Sequence, residues 1–85
     1  MKLLFTKSFR KEYAILPAQV QMRAERKLKL LLRDPRHPSL RVEKMEDPRG
    51  IWEGSITKSY RFTFQKQSDT CILRRVGTHD ILRTP

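Results

Sequence analysis

Several residue types are scarce in this chain of 85 residues, and each shortage excludes a class of protein. The single cysteine, Cys71, cannot form an internal disulfide, which argues against a disulfide-stapled secreted domain and fits the cytoplasm. With only two histidines besides, the chain lacks the ligand spacing of a zinc site, so we expect neither a metal nor another cofactor. No apolar run approaches the roughly 20 residues that span a bilayer, and the start of the chain is unlike a signal peptide. We therefore expect no membrane interaction.

Acidic residues are also scarce, and their shortage gives the chain a strong positive charge. Nineteen lysines and arginines face nine acidic residues, for a formal net charge of +10. This balance predicts attraction to a phosphate polymer or to an acidic protein partner. The apolar share of 38% and the charged share of 33% are typical of a globular chain, and 85 residues make one small domain.

The first part of the chain predicts a strand and two helices. Residues 2 to 5 indicate a short strand, and Thr6 can cap the helix that follows it. Apolar residues at helical spacing continue to Pro17, which ends the first helix and suits the first turn of the second. The apolar stripe of the second helix continues to Asp34-Pro35, which stops it. The link between the helices is short, so we expect an antiparallel hairpin.

In the rest of the chain the apolar period changes from 3.6 to 2. It predicts a possible strand from Leu40 to Lys44, then strands at Ile51–Thr57, from Tyr60 onward and at Thr70–Val76. We therefore predict an α+β fold: an N-terminal strand, a two-helix antiparallel hairpin and an antiparallel sheet of three to four strands. Both helices would cover one face of the sheet and leave the other face open.

The alternation of side chains decides which residues share that open face. If the aromatic residues of the middle strands pack under the helices, Glu53 and Arg61 point the other way. Arg75 and His79 have the same parity on the last strand, although Gly77 can break the register before His79. A carboxylate, a guanidinium and an imidazole would then share one surface. Histidine exchanges protons near neutral pH, so this surface is the candidate for chemistry on a polyanion.

Three segments in this order resemble the RelE/ParE superfamily of bacterial toxins, specifically the RelE-like mRNA interferases. They are Ile51-Trp52-Glu53-Gly54-Ser55-Ile56, Tyr60-Arg61-Phe62 and Val76-Gly77-Thr78-His79-Asp80-Ile81-Leu82. The last segment looks most like the YafQ branch, in which a Gly-Thr-His segment supplies a catalytic histidine. The resemblance covers nearly the whole chain and implies a single RelE-like toxin domain over residues 1–85. It also implies a type II toxin that cleaves mRNA, usually on the ribosome, and that a cognate antitoxin neutralises.

The implied reaction is attack of a ribose 2′-OH on its adjacent phosphate, so DNA would not be cut. It needs a base for the 2′-OH, a cation for the phosphorane and an acid for the leaving oxygen. We assign Arg61 to the phosphate, because a guanidinium stays charged and donates two parallel hydrogen bonds. His79 suits the general acid and Glu53 the general base.

Three further residues are second-rank candidates. His37 precedes Pro38 as a functional histidine precedes a proline in YafQ-type members, while Arg75 and Asp80 lie near His79 in the sequence. Asp80 is also a natural turn or capping residue. The chain departs from RelE at its end, Arg83-Thr84-Pro85, where RelE has a tyrosine.

The chain also departs from RelE at Glu53 and Ser55, where RelE has lysines. Glu53 has a structural interpretation as well, as the cross-strand partner of Arg61 or Arg75. Two other functions remain open at this point: a ParE-like inhibitor of DNA gyrase that acts by binding, and a basic RNA-binding module without activity. A proton-transfer group at His79 favours the nuclease over the ParE-like inhibitor, whereas growth arrest on expression would argue against the inactive module.

Overall fold

The computed structural model describes the whole chain, from Met1 to Pro85. Its elements in order are β1 (Lys2–Phe5), α1 (Lys7–Ala14), α2 (Ala18–Arg33), β2 (Glu43–Lys44), β3 (Ile51–Ser55), β4 (Tyr60–Gln67) and β5 (Thr70–Thr78). Short 3₁₀ turns occupy Pro38–Leu40 and His79–Arg83. The predicted α+β fold is confirmed. No helix is long and apolar enough to cross a membrane.

The strands form one five-stranded sheet in the order β1-β5-β4-β3-β2. β2, β3, β4 and β5 are joined by antiparallel pairs, whereas β1 pairs in parallel with β5. The sheet therefore has more strands than the three to four expected, because β1 joins its far edge and the short β2 joins the other. Only Glu43–Lys44 of the possible strand at residues 40 to 44 pair with β3, since Pro38–Leu40 form a 3₁₀ turn.

The predicted cap of α1 also ties that helix to the sheet. The Thr6 hydroxyl accepts a hydrogen bond from the Phe9 N–H at 3.2 Å and donates one to the Leu73 carbonyl at 2.8 Å.

Side-chain hydrogen bonds of Tyr13 and Gln21 join the two helices. The Tyr13 hydroxyl donates to the Gln21 carbonyl at 3.2 Å, and the Gln21 amide donates to the Tyr13 carbonyl at 2.8 Å. Both helices pack on the same face of the sheet, because Phe9 of α1 and Leu28 of α2 join the core cluster that contains Phe62 of β4.

The core lies between the helices and the middle of the sheet. Its buried members are Phe9, Leu16, Ala24, Leu28, Leu31, Leu40, Ile56, Phe62, Phe64, Cys71, Leu73 and Val76. The ring of Phe62 lies directly over Gly54 of the neighbouring strand, and a Cβ at Gly54 would lie 2.4 Å from the ring. Gly54 is therefore required for this packing, because no side chain fits beneath the ring.

A β-bulge in β5 changes the alternation that the sequence predicted. Thr63 pairs with Arg75 but Phe64 pairs with Leu73, so Arg74 is an extra residue in the ladder. The buried positions Leu73 and Val76 are consequently three residues apart instead of two. A bulge re-aims the side chains around it. Arg74 and Arg75 here both reach the C-terminal segment, through hydrogen bonds to residues 84 and 85.

The sheet face opposite the helices is partly covered, so the expectation that it is open was wrong. The chain turns back over this face after β5, and Ile81 packs against Gly77, where a Cβ would lie 3.0 Å from Ile81 Cγ2. Pro85 is buried there, and its carbonyl accepts a hydrogen bond from the Thr63 hydroxyl at 3.1 Å. Near the β3–β4 turn, Ser55 and Arg61 of this face line a cavity together with exposed cationic residues.

Candidate functional site

A cavity of about 480 Å³ lies between α2 and the turn that joins β3 to β4. We call it the cationic cleft. Its lining comprises Arg23, Arg26, Lys27, Arg41, Ser55, Ile56, Thr57, Lys58 and Arg61. Six of these residues are lysine or arginine and none is acidic. A concave surface with charge of one sign concentrates counter-ions, so the cleft is suited to bind phosphate groups.

The cationic side chains come from four parts of the chain. Arg23, Arg26 and Lys27 have the i, i+3, i+4 spacing that places them on one face of α2. Lys58 lies in the β3–β4 turn. Arg41 follows the first 3₁₀ turn with a φ of 47°, a left-handed conformation that is uncommon outside glycine. The cleft is therefore assembled by tertiary structure and not by one motif.

Arg61 is a partly buried cation of the cleft that has unused hydrogen-bonding capacity. It lies near the start of β4, paired with Gly77 on one side and with Ser55 on the other. Its only ionic contact is to Glu53, whose Oε1 lies 3.7 Å from Arg61 Nη1, and both side chains are 18% exposed. This separation is longer than a hydrogen bond, and Arg61 Nε is buried without a partner. An unpaired buried N–H costs about 1–3 kcal/mol, so an anion that pairs with Arg61 would relieve part of this cost.

Glu53 lies on β3 beside Arg61 and does not line the cleft. The ion pair with Arg61 is the structural interpretation that the sequence allowed. Glu43 of β2 is directly opposite Glu53 in the ladder, which puts two carboxylates side by side. Like charges in such positions repel, and the Arg61 guanidinium compensates for this repulsion.

His79 is the first residue of the turn that follows β5. Its side chain is exposed, without a hydrogen-bond partner, and it does not line the cleft. Because Gly77 pairs with Arg61, His79 leaves the sheet at the same end as the cleft. Asp80 is exposed too, and its carboxylate lies 4.0 Å from the Arg83 guanidinium. The structure therefore brings Arg61 and Glu53 together, and brings His79 to their end of the sheet without contact.

Arg75, a second-rank candidate, already has protein partners. Its Nε and Nη2 donate to the two carboxylate oxygens of Glu12 at 3.2 and 2.6 Å, and its Nη1 donates to the carbonyl of Thr84 at 2.9 Å. The bonds to Glu12 raise the pKa of Arg75 above its ordinary value. Arg75 is thus committed to joining α1, β5 and the C-terminal segment. No local pattern points to Glu12 as this partner, because it lies 63 residues away along the chain.

His37 lies away from Arg61 and His79. Its Nδ1 accepts a hydrogen bond from the Ser39 backbone N–H at 3.2 Å and lies 2.9 Å from the Ser39 hydroxyl. It lines a second cavity with Trp52, distinct from the cationic cleft.

The cleft residues of α2 were missed as site residues, although their shared helix face was a signal available in the sequence.

The fold of this chain is similar to that of several solved structures, although its sequence is not. At the level of sequence, neither a family model nor a curated protein matches the chain. Among solved structures, the RelB-RelE antitoxin-toxin complex from Methanococcus jannaschii matches with a TM-score of 0.77 and 20% identity, over 95% of each chain. The YoeB/ParE toxin from Agrobacterium tumefaciens matches with a TM-score of 0.76 and 20% identity, over 93% of this chain and 99% of that one. YafQ from E. coli matches with a TM-score of 0.75 and 14% identity, over 95% and 96%. The chain therefore has the fold of the RelE-like toxins, with YafQ among its structural neighbours.

Proposed function

We propose that the chain is the toxin of a type II toxin-antitoxin system and an endoribonuclease that cleaves mRNA on the ribosome. The observation that carries this proposal is the cationic cleft, in which the Arg61 guanidinium makes no hydrogen bond within the protein. The RelE-like fold supports the toxin role. The structural neighbours include a RelB-RelE complex and a DinJ-YafQ complex, so we extend the proposal to a cognate antitoxin partner.

In this proposal the scissile phosphate lies against Arg61 at the mouth of the cleft. The guanidinium donates hydrogen bonds to the non-bridging oxygens and stabilises the charge that grows on them as the 2′-OH attacks. His79 delivers a proton to the departing 5′ oxygen. The 2′ oxygen forms a bond to phosphorus as the bond from phosphorus to the 5′ oxygen breaks, while one proton leaves the 2′-OH and another reaches the 5′ oxygen. The products are a 2′,3′-cyclic phosphate and a free 5′-OH.

Glu53 has two roles that this geometry supports, and they predict different kinetics. As the general base, its carboxylate takes the proton of the 2′-OH. As a positioning residue, it holds the Arg61 guanidinium through the ion pair at 3.7 Å. Glu53→Gln removes the acidic limb of the pH–rate profile in the first case. In the second case it lowers the rate at every pH and leaves the shape of the profile unchanged.

The direct test is cleavage of ribosome-bound mRNA by the purified protein, with ribosomes and mRNA alone as the blank. We expect products with cyclic phosphate and 5′-OH ends, and a loss of at least about 100-fold in rate for both Arg61→Gln and His79→Gln. Lys29→Gln is the matched control, since it removes one exposed charge of α2 outside the cleft. Intact mRNA, or full activity in both site variants, would overturn the assignment.

Two further assays distinguish this proposal from the alternative functions. Single-stranded DNA of the same sequence should remain uncut, because it lacks the attacking 2′-OH. A gyrase supercoiling assay should be unaffected by the protein, whereas inhibition of gyrase with intact mRNA would favour the ParE-like alternative. The product of the neighbouring open reading frame, mixed in equal amount, should abolish cleavage if it is the antitoxin.

A further inference from the structure

A second cavity lies beside the cationic cleft and carries a different set of side chains. Its volume is about 550 Å³, and its polar and aromatic lining comprises Arg36, His37, Arg41, Trp52 and Lys66. No acidic residue lines it. We call it the Trp52 cavity. Arg41 lines both cavities, so the cationic cleft and the Trp52 cavity are adjacent and share one guanidinium.

Trp52 is the only tryptophan of the chain, and it is only partly buried. The ammonium group of Lys66 lies 3.9 Å from the centroid of its ring. A cation–π contact at an exposed site contributes about 0.5–1 kcal/mol, whereas stacking of a nucleobase on an aromatic ring contributes about 1–3 kcal/mol. A base can therefore displace the exposed Lys66 from the ring. The displaced ammonium is then free to pair with a phosphate of the same nucleotide.

His37 contributes a directed hydrogen-bond donor to the Trp52 cavity. Its Nδ1 accepts from the Ser39 backbone N–H, so in the neutral ring the proton resides on Nε2. Nε2 has no partner within the protein. Arg36 and Arg41 are both exposed, and neither makes a salt bridge. The cavity thus combines an aromatic face, three cations and one free imidazole donor.

We infer that the Trp52 cavity binds one nucleotide of the RNA strand, with the base on Trp52 and its phosphates on Arg36 and Arg41. The strand would continue over Arg41 into the cationic cleft, and in this respect the inference rests on the proposed function. The left-handed backbone of Arg41 is an unfavourable conformation for a non-glycine residue, and it sets the side chain between the two cavities. An acidic peptide would use the cations but gain nothing from the indole face, which favours a nucleotide.

The test uses the intrinsic fluorescence of Trp52, because no other tryptophan contributes to the signal. The probe is adenosine 3′,5′-bisphosphate, titrated into the intact protein. We expect saturable quenching, an affinity about tenfold weaker in Arg36→Gln, and no change in the Lys29→Gln control. Inorganic phosphate should leave the fluorescence nearly constant. Absence of saturable quenching, equal affinity in Arg36→Gln, or quenching by hexaglutamate but not by the bisphosphate would overturn the inference.

The continuity of the RNA path is tested in the His79→Gln variant, which binds RNA without cutting it. A hexanucleotide should bind at least tenfold more tightly than a dinucleotide, and Arg41→Gln should remove most of that gain. Equal affinity for the two lengths would refute the shared path. Cleavage without quenching refutes only the nucleotide site, whereas quenching without cleavage refutes the proposed nuclease and leaves the site intact.

Discussion

Replacing Glu12 by glutamine removes the carboxylate that joins α1 to the bulge of β5. Its two oxygens accept from Arg75 Nε at 3.2 Å, from Arg75 Nη2 at 2.6 Å and from the Val76 backbone N–H at 3.4 Å. The Arg75 and Glu12 side chains are 29% and 23% exposed, so solvent screens this pair less than a fully exposed one. In Glu12→Gln, an amide N–H₂ faces the guanidinium where the second oxygen was, and two donors oppose each other.

The expected cost follows from the loss of charge-assisted bonds to a partly buried arginine. We expect the free energy of unfolding to fall by about 2 kcal/mol, because hydrogen bonds to charged groups contribute about 1.5–3 kcal/mol. In a domain of this size that loss lowers the melting temperature by roughly 10 °C. Thermal and urea unfolding followed by circular dichroism would measure both quantities.

The control must separate the broken contact from the change in net charge. Glu46→Gln is suitable, since Glu46 is exposed, makes no ion pair, and its loss raises the net charge by the same amount. We expect this control to shift stability by less than about 0.5 kcal/mol. Equal destabilisation by both substitutions would refute the reasoning, because it would assign the effect to general repulsion in a chain of charge +10.

Three other substitutions or treatments test separate parts of the structure. Gly54→Ala should lower the free energy of unfolding by about 1–3 kcal/mol, because the new Cβ would lie 2.4 Å from the Phe62 ring. In the double variant, Phe62→Leu should restore part of this lost stability, because the smaller side chain leaves room for the Cβ. Hydrogen bonds from Arg49 lower the pKa of Asp47 to about 2, which is below the value near 3.9 in the unfolded chain. This carboxylate therefore stabilises the fold above about pH 4, and its contribution is lost as the pH falls towards 2. Asp47→Asn should therefore flatten the dependence of stability on pH in that window, and an unchanged slope would contradict the contact. Burial raises the pKa of the Cys71 thiol. Iodoacetamide should therefore alkylate Cys71 far more slowly at pH 8 than it alkylates a free thiol, and unfolding the protein should restore the alkylation rate of a free thiol.

Local patterns in the sequence were sufficient to predict most of the elements. The apolar stripe and the Asp34-Pro35 stop located α2, and the Thr6 cap located the start of α1. The pairing of β1 was not predictable from such patterns. Its partner residues, Thr70 to Leu73, lie almost at the other end of the chain, and four alternating residues fit either edge of a sheet equally well.

The candidate site was predictable only in part, for a related reason. Parity put Arg61 and Glu53 on one face, and the structure joins them. A two-residue period does not reveal the extra residue at Arg74, whose side chain donates a hydrogen bond to the C-terminal segment on the face that parity left open. The cleft needed helix α2, Arg41 and the β3–β4 turn to meet, which depends on packing that no local period encodes.

The parallel pairing of β1 with β5 also constrains how the molecule is made. β1 gains its neighbour only when residues 70 to 73 reach it, so its pairing depends on a segment far away along the chain. Contacts this distant along the chain slow folding, because the whole intervening loop must be ordered before they form. Until then the apolar side chains of Leu3 and Phe5 have no strand beside them. Loss of residues 70 to 73 would therefore leave β1 without a partner, with its backbone N–H and C=O groups unpaired.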